Sequence, residues 1–160
     1  MNSLVDLYFC QAKKENSHTP FLEWLNPKNK KKYTWGETSI NIYKLAKVLK
    51  ENIVNGDRCL LVSENRPEWL IADLAIMLAN GITVPAYTTY TEKDYKYLIE
   101  DCEPSVIIVS NDEMHDKLKN TIQEKSFIKK IITFLINELS LIIFFTLSCI
   151  SSLETIITEG

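Results

Sequence analysis

Four short apolar runs separated by stretches of helical period lie between Arg58 and Phe134, and this alternation restricts the fold more than any other feature of the sequence. The runs are Arg58-Cys-Leu-Leu-Val-Ser63, residues 82–87, residues 106–109 and residues 130–134, each short enough for a strand and apolar enough to be buried on both faces. The segment from Pro67 to about Asn80 reads as a helix capped by Asn65, with Pro67 in its first turn, Glu68 at the third position and Gly81 at its close. It carries Trp69, Leu70, Ile71, Leu74, Ile76, Met77 and Leu78 on nearly every side, with Asp73 the exception, so burial is expected. Thr91-Glu-Lys-Asp94 opens a second helix with Tyr95, Leu98, Ile99 and Cys102 on one face. Ser110-Asn-Asp-Glu113 reads as a capping box before a third, which shows Met114, Leu118 and Ile122. The pattern β-α-β-α-β-α-β predicts an α/β core, doubly wound, with a mostly parallel sheet covered on both faces.

Upstream, residues 3–14 suggest a short helix. Residues 21–25 and 31–35 suggest a hairpin closed by Asn26-Pro27-Lys28-Asn29. Thr34-Trp-Gly-Glu37 fits a capping box, and Ile42, Leu45, Ala46, Leu49 and Ile53 behind it recur at helical spacing, predicting an amphipathic helix that ends near Asn55-Gly56.

Composition narrows the function classes. A chain of 160 residues with 46% hydrophobic residues and a formal charge of −3 suits a soluble globular domain and speaks against a dedicated nucleic-acid binder, which needs clustered excess Lys and Arg. Cys10, Cys59, Cys102 and Cys149 are far apart, with no C-x-x-C pair and no histidine at ligand spacing, so neither a metal site nor a disulfide framework is expected. The first 15 residues carry Asp6, Lys13, Lys14 and Glu15 and no secretory leader is visible, so the expected location is cytoplasmic. All 18 basic residues lie between Lys13 and Lys130, whereas residues 139–153 carry no charge at all. That uncharged stretch falls short of a bilayer span and reads as a buried helix or strand, a membrane anchor, or an aggregating non-native end.

Candidate chemistry is sparse. The strand-to-helix turns Ser63-Glu-Asn-Arg-Pro67, Tyr87-Thr-Thr-Tyr-Thr91 and Ser110-Asn-Asp112 contain none of the four glycines, so none is a glycine-built phosphate cradle. Thr88, Thr89 and Thr91 could donate hydroxyls to an anion, but loop and cap roles suit them better. The Arg66 guanidinium could clamp a carboxylate or phosphate, although a first-turn arginine on a surface loop is more often solvated. His18 and His115, the latter near Asp112 and Asp116, have no nucleophile or second ligand beside them in sequence and read as surface histidines. Lys28-Asn-Lys-Lys-Lys32 could touch anionic lipid or nucleic acid and reads better as a solvated turn guarding a sheet edge.

Six segments in order over residues 32–134 carry a resemblance: Tyr33-Thr-Trp; Gly56-Asp57-Arg58; Asn65-Arg-Pro-Glu-Trp69; the buried helix ending in Gly81; Val84-Pro85-Ala-Tyr87; and Pro104-Ser-Val-Ile-Ile-Val109. Together they resemble the amino-terminal part of the adenylate-forming (AMP-binding) acyl-CoA synthetases, closest to the long-chain fatty-acid type. The resemblance implies an incomplete subdomain of the adenylate-forming fold. For the intact family it implies ATP-dependent conversion of a carboxylate to an acyl-adenylate and then to acyl-CoA, with ATP, Mg and coenzyme A as cofactors and a fatty acid as substrate.

The family's phosphate loop, ribose-binding acid and carboxy-terminal lysine have no counterpart in this sequence, so no catalytic, cofactor-binding or metal residue carries over. The expected division is residues 1–134 as the family-like part and residues 135–160 as an apolar, family-unlike tail. The reading that follows is a truncated or frame-shifted ligase, inactive alone and binding no cofactor. Its rival is a non-catalytic module that pairs with itself or with a full-length ligase, or anchors at a membrane through residues 135–160.

Overall fold

The computed structural model describes residues 3–25, 30–122, 125–133 and 143–145. The turn expected at 26–29 and most of the apolar tail lie outside the described residues. Helix α1 (Leu4–Ala12) is capped by the Ser3 hydroxyl, which accepts the Asp6 N–H. Strands β1 (Pro20–Trp24) and β2 (Lys31–Thr34) pair antiparallel, and α2 (Trp35–Lys50) follows directly behind a complete Thr34–Glu37 capping box. Then come β3 (Arg58–Val62), α3 (Pro67–Leu78), β4 (Ile82–Ala86), α4 (Glu92–Cys102), β5 (Val106–Val109), α5 (Asp112–Ile122), β6 (Lys130–Thr133) and β7 (Ile143–Phe145).

The main sheet has the order β4-β3-β5-β6-β7. β4, β3, β5 and β6 run parallel, and β7 adds an antiparallel edge to β6. The apolar runs produce this sheet because a strand's side chains alternate between faces. Cys59 and Leu61 of β3, with Val106 and Ile108 of β5, turn to a core shared with α1, α2 and α3. Leu60, Val62, Ile107 and Val109 turn to the opposite core under α4 and α5. Both faces are therefore covered, as in a doubly wound fold, and the chain order reverses direction between β3 and β5.

Several local details differ from the sequence reading. Helix α3 is capped by Arg66 rather than Asn65, with no side-chain cap bond. The Arg66 side chain is drawn inward instead, and Pro67 supplies the helical φ of the first turn. The same helix ends in a Schellman motif in which Asn80, not Gly81, takes the left-handed conformation (φ 64°). The Asn80 N–H reaches the Met77 carbonyl at 3.0 Å and the Gly81 N–H reaches that of Ile76 at 2.9 Å. Gly81 is required for closeness, since a Cβ there would stand 2.9 Å from Ile53 Cδ1 and 3.0 Å from Ile76 Cγ2.

Helix α3 also keeps Trp69, Leu70, Asp73, Met77 and Leu78 only half-buried, because α2 and β3 cover one side of it. Helix α5 is capped by Asn111, whose Oδ1 accepts the Met114 N–H at 2.9 Å. Ser110 still belongs to the ladder there, its N–H bonded to the Val62 carbonyl at 3.0 Å.

Candidate functional site

In an open parallel sheet the crevice at the carboxyl ends of the strands where chain order reverses is where ligands bind. Here that position lies beyond Val62 and Val109, and it is occupied by protein. Arg66 leaves β3 in extended conformation, is followed by Pro67, and folds its side chain back under the first turn of α3. Its Nε donates to Glu68 Oε2 at 2.8 Å, and one terminal nitrogen, Nη1, donates to the Ser110 carbonyl at 3.3 Å. The same Nη1 stands 3.6 Å from Glu64 Oε1. The guanidinium carbon sits 4.8 Å from the centre of the Trp24 ring, so the cation is sandwiched between a carboxylate and an aromatic face of the hairpin.

Glu68 is the hub. Its Oε1 accepts the Tyr33 hydroxyl at 2.7 Å and the Lys31 ammonium at 3.0 Å, and the Lys31 nitrogen lies 5.0 Å from the Tyr33 ring centre. The Arg66 side chain is 1% exposed and that of Glu68 9%. Burial alone would raise the Glu68 carboxyl, but hydrogen bonds from Arg66, Tyr33 and Lys31 outweigh it and hold the group at about 2. Burial, the hydrogen bond to Glu68 and the neighbouring carboxylate together push the Tyr33 hydroxyl far above its ordinary value. Burial opposes the Arg66 charge, and Glu68 restores it with a surplus, so the guanidinium stays more firmly protonated than usual.

None of these three groups changes protonation near neutrality. The cluster cannot relay protons, and its chemistry is positional: it fixes the hairpin, the start of α3 and the turn after β5 to one another. The Arg66 Nη2 and Ser110 Oγ atoms are buried without a hydrogen-bond partner among the described residues.

The structure thus corrects the reading of Arg66 as a solvated loop residue and draws Lys31 out of the solvated turn, while Lys32 stays exposed as that reading has it. Lys31 is held by Glu68, and Lys32 pairs with Glu23 at 3.1 Å. Lys28 lies outside the described residues. Thr91 caps α4, its hydroxyl accepting the Asp94 N–H at 3.3 Å and bonding Asp94 Oδ2 at 2.7 Å. Thr88 and Thr89 stand in the turn before it, which Lys117 staples by donating to the carbonyls of Thr88 at 3.3 Å and Tyr90 at 2.5 Å. His18 lies in an exposed loop. His115 faces Asp116 at 3.5 Å. Neither histidine is brought to the Arg66 cluster.

Sequence reading missed Glu68 and Trp24 as partners of Arg66, and Tyr33 and Lys31 as partners of Glu68. The one local signal was Arg-Pro-Glu, in which proline fixes the turn and sets the two charges on the same side.

The donors at this end offer no cradle for ATP. The Arg66 charge is committed to Glu68, the Ser110 N–H to Val62, and the Tyr90 N–H to Tyr87. These residues do not fit a triphosphate. Among the described residues no group of three or more His, Cys, Asp or Glu could hold a metal ion. Among them, too, no helix is long and apolar enough to cross a membrane. Cys10, Cys59 and Cys102 are free thiols, the latter two buried.

Comparison with known proteins places these features in context. Residues 9–141 match the family described as AMP-binding enzyme. The long-chain-fatty-acid–CoA ligase FadD15 of Mycobacterium tuberculosis is 35% identical over 57 residues, which are 36% of this chain and 10% of that protein. The long-chain-fatty-acid–CoA ligase ACSBG1 of Mus musculus is 24% identical over 139 residues, 79% of this chain and 19% of that protein. The chain therefore spans about a tenth to a fifth of the length of these relatives.

Among solved structures, the fatty acyl-adenylate ligase from L. pneumophila in complex with acyl adenylate and pyrophosphate superposes with a TM-score of 0.69 at 22% identity, over 87% of this chain and 24% of that one. The anthranilate CoA ligase AuaEII in complex with anthranoyl-AMP gives 0.69 at 20% identity, over 81% and 24%. At such identity the likeness concerns the fold, which is that of the adenylate-forming enzymes.

Proposed function

This chain belongs to the AMP-binding enzymes, and from that premise we propose that it supplies the first α/β layer of an ATP-dependent long-chain fatty-acid–CoA ligase and does not form acyl-adenylate by itself. The supporting observation is the closed C-terminal end of the sheet. Stabilising a transferring phosphoryl group takes preorganised cations and N–H donors aimed at an open position, and here the Arg66 guanidinium is 1% exposed and bound to Glu68 at 2.8 Å. In this reading the cluster is a strut of the first layer, and the groups that grip ATP and Mg belong to other parts of a complete ligase.

The ligase-like part takes in residues 1–134 and, by the family match, runs on to residue 141. Free buried thiols at Cys59 and Cys102 suit a reducing, cytoplasmic setting.

The test is AMP release from the purified chain given ATP, Mg2+ and a long-chain fatty acid. No AMP above the enzyme-free blank is expected. Measurable AMP would overturn the inactivity of the lone chain. Grafting residues 9–141 into a long-chain ligase in place of its matching segment should give a fatty-acid-dependent enzyme, and a folded but inactive graft would overturn the assignment to that class.

A further inference from the structure

Within the basic segment of the hairpin Lys31 and Lys32 pair with Glu68 and Glu23, and a run of lysines without described ion pairs lies on another element. Helix α2 presents Ile40, Tyr43, Lys44, Lys47 and Lys50 on its exposed side, with Glu37 the only carboxylate within the helix. Glu37 is engaged in the capping box, and the three lysines make no ion pair with a described carboxylate. Ile40 is 54% and Tyr43 56% exposed, so this helix face keeps an aliphatic and an aromatic side chain open to solvent. The Tyr43 ring stacks on Phe9 of α1, ring centres 4.8 Å apart. Beside it a cleft of about 440 Å³ opens between α2 and α3, lined by Tyr43, Ala46, Lys47, Lys50, Glu51 and Leu78. Its two lysines outnumber its one carboxylate.

A helix face with bare aromatic and aliphatic side chains set among lysines is the arrangement that seats a protein on an anionic lipid surface: the apolar groups enter the headgroup boundary and the ammonium groups meet the phosphates. We infer that the outer face of α2, centred on Tyr43, Lys47 and Lys50, is a docking surface for an anionic membrane leaflet. Charge complementarity selects this occupant, because the chain as a whole is acidic at −3 and the patch runs against that balance. The contact goes beyond the ligase reading and is independent of residues 135–160. It would bring the first layer of the fold to the surface from which a long-chain carboxylate partitions.

Co-sedimentation of the full chain with phosphatidylcholine vesicles, with and without phosphatidylserine, tests the inference. Binding is expected only with phosphatidylserine and should fall at high salt. A lysine near such a surface contributes about fivefold in partition, so K47E/K50E should lose roughly thirtyfold or more. K93E/K96E makes the same charge change on the exposed side of α4 and should bind as the parent does. Thermal unfolding of both variants verifies that each is folded, and Tyr43→Ser should weaken the binding that survives at high salt. Equal losses in the two charge variants would make the effect one of net charge and overturn the site. So would binding to neutral vesicles that K47E/K50E leaves intact, which would move the contact to residues 135–160, and so would the absence of binding to phosphatidylserine.

Discussion

At the N-terminal end of the parallel strands one carboxylate, Asp57, gathers the Val54 N–H at 3.0 Å, the Ser105 hydroxyl at 2.8 Å and the Lys129 ammonium at 3.4 Å. At the C-terminal end another carboxylate, Glu68, likewise gathers Arg66, Tyr33 and Lys31. The donor sets are similar in number and opposite in setting. Asp57 is 20% exposed and its lysine 49%, so water shares the charge. Glu68 faces a guanidinium that is 1% exposed, so the pair must satisfy itself. A solvated knot adds little and costs little when cut, whereas a dry one is dangerous to cut on one side, because the remaining partner is left charged in a medium that cannot solvate it. The wet end closes turns between neighbouring strands, and the dry end binds the separate hairpin to the main sheet.

The largest expected effect cuts the dry end on one side only. Glu68→Gln leaves Arg66 with only the more exposed Glu64, 3.6 Å away, as counter-charge and should cost about 3 to 5 kcal/mol in urea unfolding. The double variant Arg66→Met/Glu68→Leu should cost less than that single one; if it costs the sum of the two singles, the ends do not differ in the way described.

Acid should separate the ends next. Glu68 falls from an ordinary 4.5 to about 2 in the folded chain. A depressed carboxyl stabilises fully above its unfolded value and loses that contribution as pH drops through the folded one. Stability on the order of 3 kcal/mol should therefore disappear between about pH 4.5 and pH 2, and Glu68→Gln should flatten most of that loss. Asp57, lowered chiefly by the Val54 N–H, adds its share only below its ordinary 3.8.

At the wet end Asp57→Ala should cost about 1 to 2 kcal/mol by the same unfolding measurement. Smallest of all, Lys32→Ala removes the exposed pair with Glu23, whose side chains are 60% and 41% exposed, and should stay within about 0.5 kcal/mol.

Most of the scaffold was legible because it is written in local periods. The runs at 58–63, 82–87, 106–109 and 130–134 became β3, β4, β5 and β6 within a residue or so, and the Thr34–Glu37 and Thr91–Asp94 boxes formed as their spacing predicted. Cap positions were less secure. Ser110 is kept in the sheet by its bond to Val62, and Arg66 is pulled inward by Glu68, and neither pull has a local signature.

The dry cluster was illegible for the same reason. Tyr33 and Glu68 are 35 residues apart, and nothing in either neighbourhood names the other. Strand β7 was one of several readings for the apolar tail, and only residues 143–145 of that tail are described.

The separation of Tyr33 from Glu68 also orders events at the ribosome. Translation delivers the hairpin first, with Lys31 and Tyr33 lacking their acceptor, and the fastening waits until the codon for Glu68 has been read and its residue has cleared the exit. Until then the hairpin can lean only on α1 and α2, through Tyr8, Phe21 and Trp35, and its tie to the main sheet waits on one later glutamate.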